Sequence, residues 1–274
     1  MGNPTFQQAW SSIDQAADPA YFVRFMDRFY GAEGADDDPD HYRERIALLA
    51  VKPGQRLLEV GCGAGGSVRM LARLAGPAGR VVGVDNSATM VAAAERRAAG
   101  LGLPVEYRVA DAHALPFADA TFDGCCSGGV FEVLDDPRRA LAEMARVAAP
   151  GGRVVVNAED AGTQAVDGPD RAITRRILDY HRDHELNGGI GHQLYGLFKG
   201  VGLADITVIP STWVETAYSP VLRDWLGGIA AAAQAAGAIT AAECVAWGEQ
   251  AEAADRAGRF FSALTFYAVG GRKP

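Results

Sequence analysis

A short glycine-rich stretch is the part of this sequence whose residue types and spacing point most directly to chemistry. An apolar run over 57–60 leads straight into four glycines, Gly61, Gly63, Gly65 and Gly66, and an amphipathic segment follows them. Glycine tolerates positive φ and leaves no Cβ between the backbone and a ligand. The first N–H groups of the helix behind such a turn have no partner within the helix. The stretch therefore predicts a strand, a tight turn and a helix that together hold a ligand.

Two spacing patterns overlap in this turn. Gly61, Gly63 and Gly66 satisfy G-x-G-x-x-G, which is typical of dinucleotide-binding turns. The same turn counted from Glu59 satisfies E/D-x-G-x-G-x-G, with Gly65 as the last glycine, and that pattern is typical of turns that hold S-adenosylmethionine. Both ligands carry a ribose, so the glycine turn alone leaves the choice between them open.

Two carboxylates farther along the chain suit a nucleoside. Asp85 ends the second apolar run, where a carboxylate can accept hydrogen bonds from both ribose hydroxyls. It could also act as an N-cap for the helix expected from Ser87. Asp111 and Ala112 follow the third run, and a carboxylate with the next backbone N–H could read the edge of an adenine. They open the segment D-A-x-x-L-P-F, which is not part of the dinucleotide pattern and so favours S-adenosylmethionine.

Histidine is the residue type best suited to accept a proton near neutrality. His192 is the candidate base, because it lies at the start of a predicted helix, and Tyr195 stands one helical turn on as a helper. His181 and His184 have an H-x-x-H spacing that a metal could use, but no third ligand has a diagnostic spacing. We therefore expect no metal.

Short apolar runs alternate with amphipathic segments from residue 55 onward. The runs that predict strands are 56–60, 80–85, 105–109, 122–127, 153–157, 205–209 and 262–269. Strands that alternate with helices are typical of right-handed βαβ units and a parallel sheet. Ligands of such open sheets bind at the carboxyl ends of the strands, where the glycine turn, Asp85 and Asp111 would meet.

The composition limits the partners and the compartment. The 274 residues are 49% hydrophobic and carry a formal net charge of −8. An acidic chain suits a neutral or cationic small molecule better than nucleic acid. The most apolar long window is interrupted by polar residues, so no membrane span is predicted. The four cysteines form neither a C-x-x-C pair nor a zinc pattern, which favours a reducing cytoplasm. The oligomeric state stays open.

Five sequence blocks follow one another along the chain. They are LLEVGCGAGG (57–66), VVGVDNS (81–87), VADAHALPF (109–117), FDGCCSGGVFEVLDDP (122–137) and LAEMARVAAPGGRVVV (141–156). Together they resemble the class I S-adenosylmethionine-dependent methyltransferases, near the ubiquinone/menaquinone-biosynthesis-like branch. The resemblance implies an α/β, doubly wound, seven-stranded sheet, mostly parallel, in the order 3-2-1-4-5-7-6 with the last strand antiparallel. It also implies an N-terminal helical cap over 1–50 and a Rossmann-like domain over 51–274, with a cap insertion at about 159–190.

The resemblance implies S-adenosylmethionine as the cofactor and gives each candidate residue a place around it. Glu59, Gly61, Cys62, Gly63 and Gly65 would surround its methionine part, Asp85 its ribose, Asn86 and Met90 its adenosine, Asp111 and Ala112 its adenine, and Ser127 and Gly128 its amino-acid end.

The implied activity is methyl transfer to an oxygen, nitrogen or carbon of a small molecule, mainly by positioning. Many relatives have L-E-H or L-H-H where this chain has Phe131-Glu132-Val133, so no base is carried over from that histidine. Two other functions stay open, a protein that binds S-adenosylmethionine without methylating and a nicotinamide-dependent oxidoreductase.

Overall fold

A single seven-stranded sheet organises the chain. The computed structural model describes residues 9–30, 43–168 and 170–274, and the side chains of 27–30 lie outside that description. The strands are β1 Arg56–Val60, β2 Arg80–Asp85, β3 Val105–Val109, β4 Phe122–Gly128, β5 Ala148–Val166, β6 Ala204–Glu215 and β7 Ser262–Arg272. Their order in the sheet is β3-β2-β1-β4-β5-β7-β6.

The pairing directions match the expected fold class. Strands β3, β2, β1, β4 and β5 pair in parallel with their neighbours. Strand β7 is antiparallel to both β5 and β6. The predicted order and the antiparallel last strand are therefore confirmed.

Helices cover both faces of the sheet. In the described part of the chain they are α1 Ala20–Tyr30, α2 Arg43–Leu49, α3 Gly66–Ala75, α4 Ala88–Ala98, α5 Pro137–Val147, α6 Arg171–His184, α7 Ile190–Gly200, α8 Pro220–Ala235 and α9 Ala241–Arg256. Two short 3₁₀ helices span Ile13–Gln15 and Phe131–Val133. Side-chain caps set several helix starts; Thr240 and Glu243, for example, form a capping box at α9.

Successive residues of β1 build two different cores. Leu57 packs with residues of α3 such as Leu71, whereas Leu58 packs with residues such as Met144 of α5. This alternation follows from the period of two in a strand, which points adjacent side chains to opposite faces. Both leucines are fully buried, so the central strand is covered on each side.

A third core lies beyond the carboxyl ends of β5 and β6. It is formed mainly by α6, α8 and α9, with Ile177, Leu226 and Trp247 among its buried residues. The sequence pattern predicts the fifth strand over 153–157, whereas β5 continues to Val166 and pairs with β7 up to Ser262. The insertion therefore starts as sheet and becomes helical only at α6. The sequence did not predict so long a strand, because polar and small residues interrupt its apolar pattern after residue 158.

The N-terminal segment packs over α4. Phe22 and Ile13 are buried with Met90 of α4. Residues 1–8 and 31–42 of the N-terminal cap expected over 1–50 lie outside the described residues. None of the helices described is both long and apolar enough to cross a bilayer.

Candidate active site

The glycine turn after β1 is held against the end of β2. The backbone N–H groups of Gly61 and Cys62 both donate to the carbonyl oxygen of Val84, at 2.7 and 2.9 Å. Gly61, Gly63 and Gly65 all have positive φ, so the turn needs glycine for its backbone alone.

Two of these glycines also leave room for different neighbours. A Cβ on Gly65 would lie 2.7 Å from the hydroxyl of Tyr107 and 2.9 Å from Cβ of Ala94, so Gly65 permits internal packing. A Cβ on Gly63 would meet only Cε of Met26, at 3.5 Å. Gly63 therefore faces open space, and that space is where a ligand could approach the backbone.

The open space belongs to a cavity of about 530 Å³ at the carboxyl ends of the central strands. Eight of the predicted site residues line it: Gly61, Gly63, Asp85, Asn86, Met90, Asp111, Ala112 and Gly128. They come from four separate blocks of sequence, and the parallel sheet brings them to one edge.

Asp85 is held by two backbone donors at the cavity wall. Its Oδ2 accepts the N–H of Gly63 at 2.9 Å, and its Oδ1 accepts the N–H of Ser87 at 3.0 Å. Burial raises the pKa of Asp85, against the lowering effect of these two hydrogen bonds. Ser87, whose Oγ accepts the N–H of Met90, is the actual N-cap of α4. Each oxygen of Asp85 keeps a lone pair for a further donor.

Asp111 and His113 form a small hydrogen-bonded unit on the same wall. Oδ1 of Asp111 accepts both the backbone N–H and Nδ1 of His113, each at 2.8 Å, and these contacts lower the pKa of Asp111. Nε2 of His113 accepts the N–H of Asp136 at 3.3 Å. Ala112, between them in sequence, is buried and lines the cavity.

Comparison with known proteins shows which family has a domain like the one that forms this cavity. Residues 58–156 match the family described as "Methyltransferase domain", and this range contains the glycine turn, Asp85 and Asp111. Residues 58–156 therefore form a methyltransferase domain of the class I, S-adenosylmethionine-dependent type.

Two relatives show the extent of the similarity, and one of them is named as a methyltransferase. A Thermus thermophilus demethylmenaquinone methyltransferase is 41% identical over 114 residues, 42% of this chain and 51% of its own length. An uncharacterized 37.1 kDa protein of a Streptomyces fradiae transposon is 36% identical over 228 residues, 82% of this chain and 64% of its own. The chain thus spans about half to two thirds of the length of these relatives.

A solved structure shows the same fold. The Haemonchus contortus phosphoethanolamine N-methyltransferase 2 complex has a TM-score of 0.61 and 18% sequence identity, and the match covers 99% of this chain and 61% of that one.

Several residues that the resemblance placed at the cofactor lie behind the wall of the methyltransferase domain instead. Glu59 is buried and pairs with Nη1 of Arg45 through Oε1, at 3.0 Å. Nη2 of Arg45 donates to Oγ of Ser67 at 2.8 Å, and a Cβ on Gly128 would lie 2.4 Å from Nη1. Burial raises the pKa of Glu59, while Arg45 lowers it. Glu59 therefore lies behind the cavity wall and holds Arg45 against the backbone of Gly128.

Cys62, Gly65 and Ser127 are likewise absent from the described cavity wall. The side chain of Cys62 packs against Gly83, and burial raises the pKa of its thiol. Ser127 is fully buried, and its Oγ has no hydrogen-bond partner. Sequence alone could not separate these residues from the wall, because a motif does not show which of its groups face the cavity and which pack inside the domain.

The two residues expected to supply a base do not reach the cavity. The side chain of His192 is 63% exposed and its Nδ1 contacts Asp160, while Tyr195 is 49% exposed. Helix α7 begins at Ile190 and buries Gly191, Leu194 and Phe198, so residues 192 and 195 fall on its outer side. The expected pair therefore has no geometric support among the described residues.

Glu132 is a functional candidate that the sequence argument missed. It lies in the 3₁₀ helix Phe131–Val133, is 4% exposed and lines the cavity. Its Oε1 accepts the N–H of Glu159 at 2.8 Å, and its Oε2 has no hydrogen-bond partner. Burial raises the pKa of Glu132 to about 7, despite these backbone hydrogen bonds. The available signal was its position directly before Val133, which replaces the histidine of many relatives.

Aromatic side chains from three distant segments complete the wall. Trp213 of β6, Trp225 of α8 and Phe266 of β7 line the cavity together with Trp10 and Phe25. The ring centroids of Trp213 and Trp225 are 6.1 Å apart. Their sequence positions carry no local motif, and only the antiparallel end of the sheet brings them together.

The H-x-x-H pair does not converge on one point. His184 stacks on Tyr180 with ring centroids 4.1 Å apart. His181 is buried, and its Nδ1 lies 2.7 Å from Oε1 of Glu185. Burial lowers the pKa of His181 to about 4, so its ring is neutral near pH 7. Potential ligand atoms of Glu159, His181 and Glu185 all lie within 4.8 Å of one another, the closest approach to a metal-binding group in the described chain.

Proposed function

We propose that this protein transfers the methyl group of S-adenosylmethionine to a small-molecule acceptor. One observation carries the proposal. A single cavity is bordered by Gly63 and Asp85 on one side and by Glu132, Trp213 and Trp225 on the other. A cofactor and an acceptor that share one enclosed space can be held at reacting distance, and such positioning contributes up to roughly 7–11 kcal/mol.

The residues present fit the cofactor. The space beside Gly63 is open, the carboxylate of Asp85 keeps lone pairs for two hydroxyls, and Asp111 with Ala112 borders the region where an adenine would lie. When bound, S-adenosylmethionine supplies a methyl group on a sulfonium that needs no further activation. Gly63, Asp85 and Asp111 would orient it, and the domain match supports the same placement.

The chain's own contribution to the reaction is then to hold the acceptor and to keep water out. The aromatic walls provide apolar contact area on the acceptor. Exclusion of water strengthens the polar interactions that remain inside the cavity. No described residue other than Glu132 offers a buried proton acceptor with a free oxygen on this wall.

We also propose that the N-terminal segment and the segment near 159–190 form a cap. Asp14 accepts hydrogen bonds from Oγ of Ser87 and from the N–H of Ala88, each at 2.7 Å. The side chain of Asn86 donates to the carbonyl of Ser11 at 3.1 Å. These contacts attach one wall of the cavity to the start of α4, beside Asp85, so closure of the cap and binding of the cofactor would be coupled.

The proposal extends to a cytoplasmic protein without a nucleic-acid partner. All four cysteines are free, as a reducing compartment requires. The net charge of −8 opposes binding to phosphate backbones.

Two measurements test the methyl transfer. Calorimetry should show binding of S-adenosylmethionine and S-adenosylhomocysteine but not of NAD, which would have been the cofactor of an oxidoreductase. Incubation with methyl-labelled S-adenosylmethionine and a panel of small acceptors should then label at least one of them. Binding without any labelling would favour the alternative of a cofactor-binding protein that does not methylate, and absence of binding would overturn the proposal.

A further inference from the structure

The two ends of the cavity lie on different strands of the sheet. Asp85 ends β2, whereas Glu159 lies on β5, three strands away and therefore about 14 Å across the sheet. Phe266 on β7 and Trp213 on β6 lie farther in the same direction. With the cofactor proposed at Gly63 and Asp85, the end formed by Glu132, Glu159 and the aromatic residues is left for the acceptor.

Carboxylates line the acceptor end of the cavity. Its titratable residues are Glu132 and Glu159, and no lysine or arginine among the described side chains lines the cavity. Among the lysines and arginines, only the side chain of Arg28 falls outside the description, and His41 lies outside it too. An anionic acceptor, such as a phosphate or carboxylate, would meet repulsion here and no compensating partner.

Ionisable groups also lie behind this wall. Glu185 contacts His181, whose ring is neutral near pH 7 because it is buried. Asp160, next to Glu159 in β5, turns toward the start of α7 and accepts the N–H of His192 at 2.9 Å. These three groups are two carboxylates and an imidazole that is neutral near pH 7.

A bound cation would provide a partner for a buried carboxylate oxygen and for the aromatic faces at this end of the cavity. Oε2 of Glu132 is buried with no donor, and a buried polar atom is nearly always hydrogen-bonded in a folded protein. Trp213, Trp225 and Phe266 line the same cavity, and aromatic faces attract ammonium groups. Carboxylate and aromatic groups together form the kind of environment in which proteins hold amines.

We propose that the acceptor is an amine, bound as its ammonium form by Glu132 between the aromatic walls and methylated on nitrogen. This inference rests on the proposed methyl transfer. The ammonium N–H bond breaks and its proton passes to Oε2 of Glu132. The freed nitrogen lone pair forms the N–C bond, while the S–C bond of the sulfonium breaks and its electron pair stays on sulfur. The product is a methylated ammonium, and the proton on Glu132 returns to solvent.

Matched probes of one shape test the charge preference directly. Phenethylamine, 2-phenylethanol and 3-phenylpropionate differ chiefly in being cationic, neutral or anionic at pH 8. Binding to the protein saturated with S-adenosylhomocysteine can be followed by tryptophan fluorescence, because Trp213 and Trp225 line the cavity. We expect the amine to bind at least about tenfold more tightly than the alcohol, and the carboxylate to bind more weakly than both. Equal binding of amine and alcohol, or no binding of the amine, would overturn the inference.

The variant Glu132→Gln keeps the shape of the side chain and removes its charge. It should bring the affinity for phenethylamine down to that for 2-phenylethanol, while affinity for S-adenosylhomocysteine stays within about twofold. Glu249→Gln makes the same change on the exposed surface of α9 and should alter neither affinity. If the wild-type protein itself does not bind S-adenosylhomocysteine, that result would instead count against the proposed function as a whole.

Lowering the pH should weaken the binding of the amine to the protein. Alkylamines stay protonated below pH 9, so a change in affinity between pH 8 and 5.5 reports on the protein. With the pKa of Glu132 at about 7, the affinity for phenethylamine should fall about thirtyfold over this range. The same titration of Glu132→Gln should be flat. A parallel fall in the variant would show that another group holds the amine.

Discussion

The two ends of the cavity are built in different ways. At the cofactor end, Gly61, Gly63 and Asp85 present backbone groups and one carboxylate that the turn and β2 hold by hydrogen bonds of 2.7–2.9 Å. At the acceptor end, Glu132, Trp213 and Trp225 come from a 3₁₀ helix, a strand and a helix that meet only through the third core and the antiparallel edge. The first end depends on local backbone geometry, and the second depends on which side chains the cap supplies.

This difference explains how one fold can serve many acceptors. A change of side chain at the acceptor end alters shape and charge without disturbing the sheet. At the cofactor end, the same substitution would strain a backbone with positive φ or remove a hydrogen bond that the turn needs. Substitutions at the two ends should therefore differ in what they change.

The largest effect should come from substitution of Arg45, which lies behind the wall of the cofactor end and should affect the stability of the fold. Arg45→Met leaves Glu59 buried without its ion pair, which should lower the free energy of unfolding by about 3–5 kcal/mol. Urea denaturation measures this loss. The double variant Arg45→Met with Glu59→Gln removes both charges and should recover a large part of it. A single variant as stable as the wild-type protein would contradict the buried ion pair.

Gly63→Val should fill the cavity at the turn while leaving the fold intact. The added side chain has no close neighbour except Met26, so it projects into the space proposed for the cofactor. We expect affinity for S-adenosylhomocysteine to fall by about a hundredfold or more in calorimetry. Gly76→Val is the matched control, because Gly76 also has positive φ and open surroundings but ends α3 away from the cavity. Both variants should lose similar stability, and only the first should lose the ligand.

Asp85→Ala should weaken the binding of the cofactor without abolishing it. Removal of the carboxylate leaves the ribose hydroxyls and the N–H of Gly63 without their acceptor, which costs about 1–3 kcal/mol of binding free energy. The measurement is calorimetric titration with S-adenosylmethionine near neutral pH. Unchanged affinity would refute the assignment of Asp85 to the ribose.

Asp14→Ala should weaken the attachment of the N-terminal segment to the start of α4. Burial opposes ionisation of Asp14, but hydrogen bonds from Ser87, Thr89 and Ala88 outweigh it and lower the pKa of its carboxyl. Its stabilising contribution is therefore present above its unfolded pKa and is lost as the pH falls through the folded value. The variant should exchange amide hydrogens faster over residues 9–26, by a factor of about ten for a loss near 1.4 kcal/mol. Exchange as slow as in the wild-type protein would show that the wall does not depend on Asp14.

His192→Ala should have the smallest effect. The ring is largely exposed and pairs with Asp160 outside the cavity wall, so turnover should stay within about twofold of the wild-type protein. The comparison with Glu132→Gln is informative, since that variant is expected to lose turnover with any amine. A drop of about a hundredfold for His192→Ala would restore the role of a base that its place in the sequence suggests.

Local sequence pattern determined the architecture of this protein and most of its cofactor end. The alternating runs predicted a parallel sheet with Gly61, Gly63, Asp85 and Asp111 at one edge, whereas the strand order and the antiparallel last strand were implied only by the family resemblance. Such features are predictable because a glycine turn, a strand end and a helix start each depend on residues that are close in sequence.

Only the tertiary structure decided which side chains face the acceptor. Glu59 and Glu132 are both buried glutamates, yet Glu59 pairs with Arg45 behind the wall and Glu132 lines the cavity. His192 and Trp225 are both remote from the glycine turn in sequence, and the rotation of α7 turned the first away while α8 brought the second inward. The physical reason is that the direction of a side chain in an inserted segment is set by packing between elements far apart in the chain, and a single sequence carries no local signal for that packing.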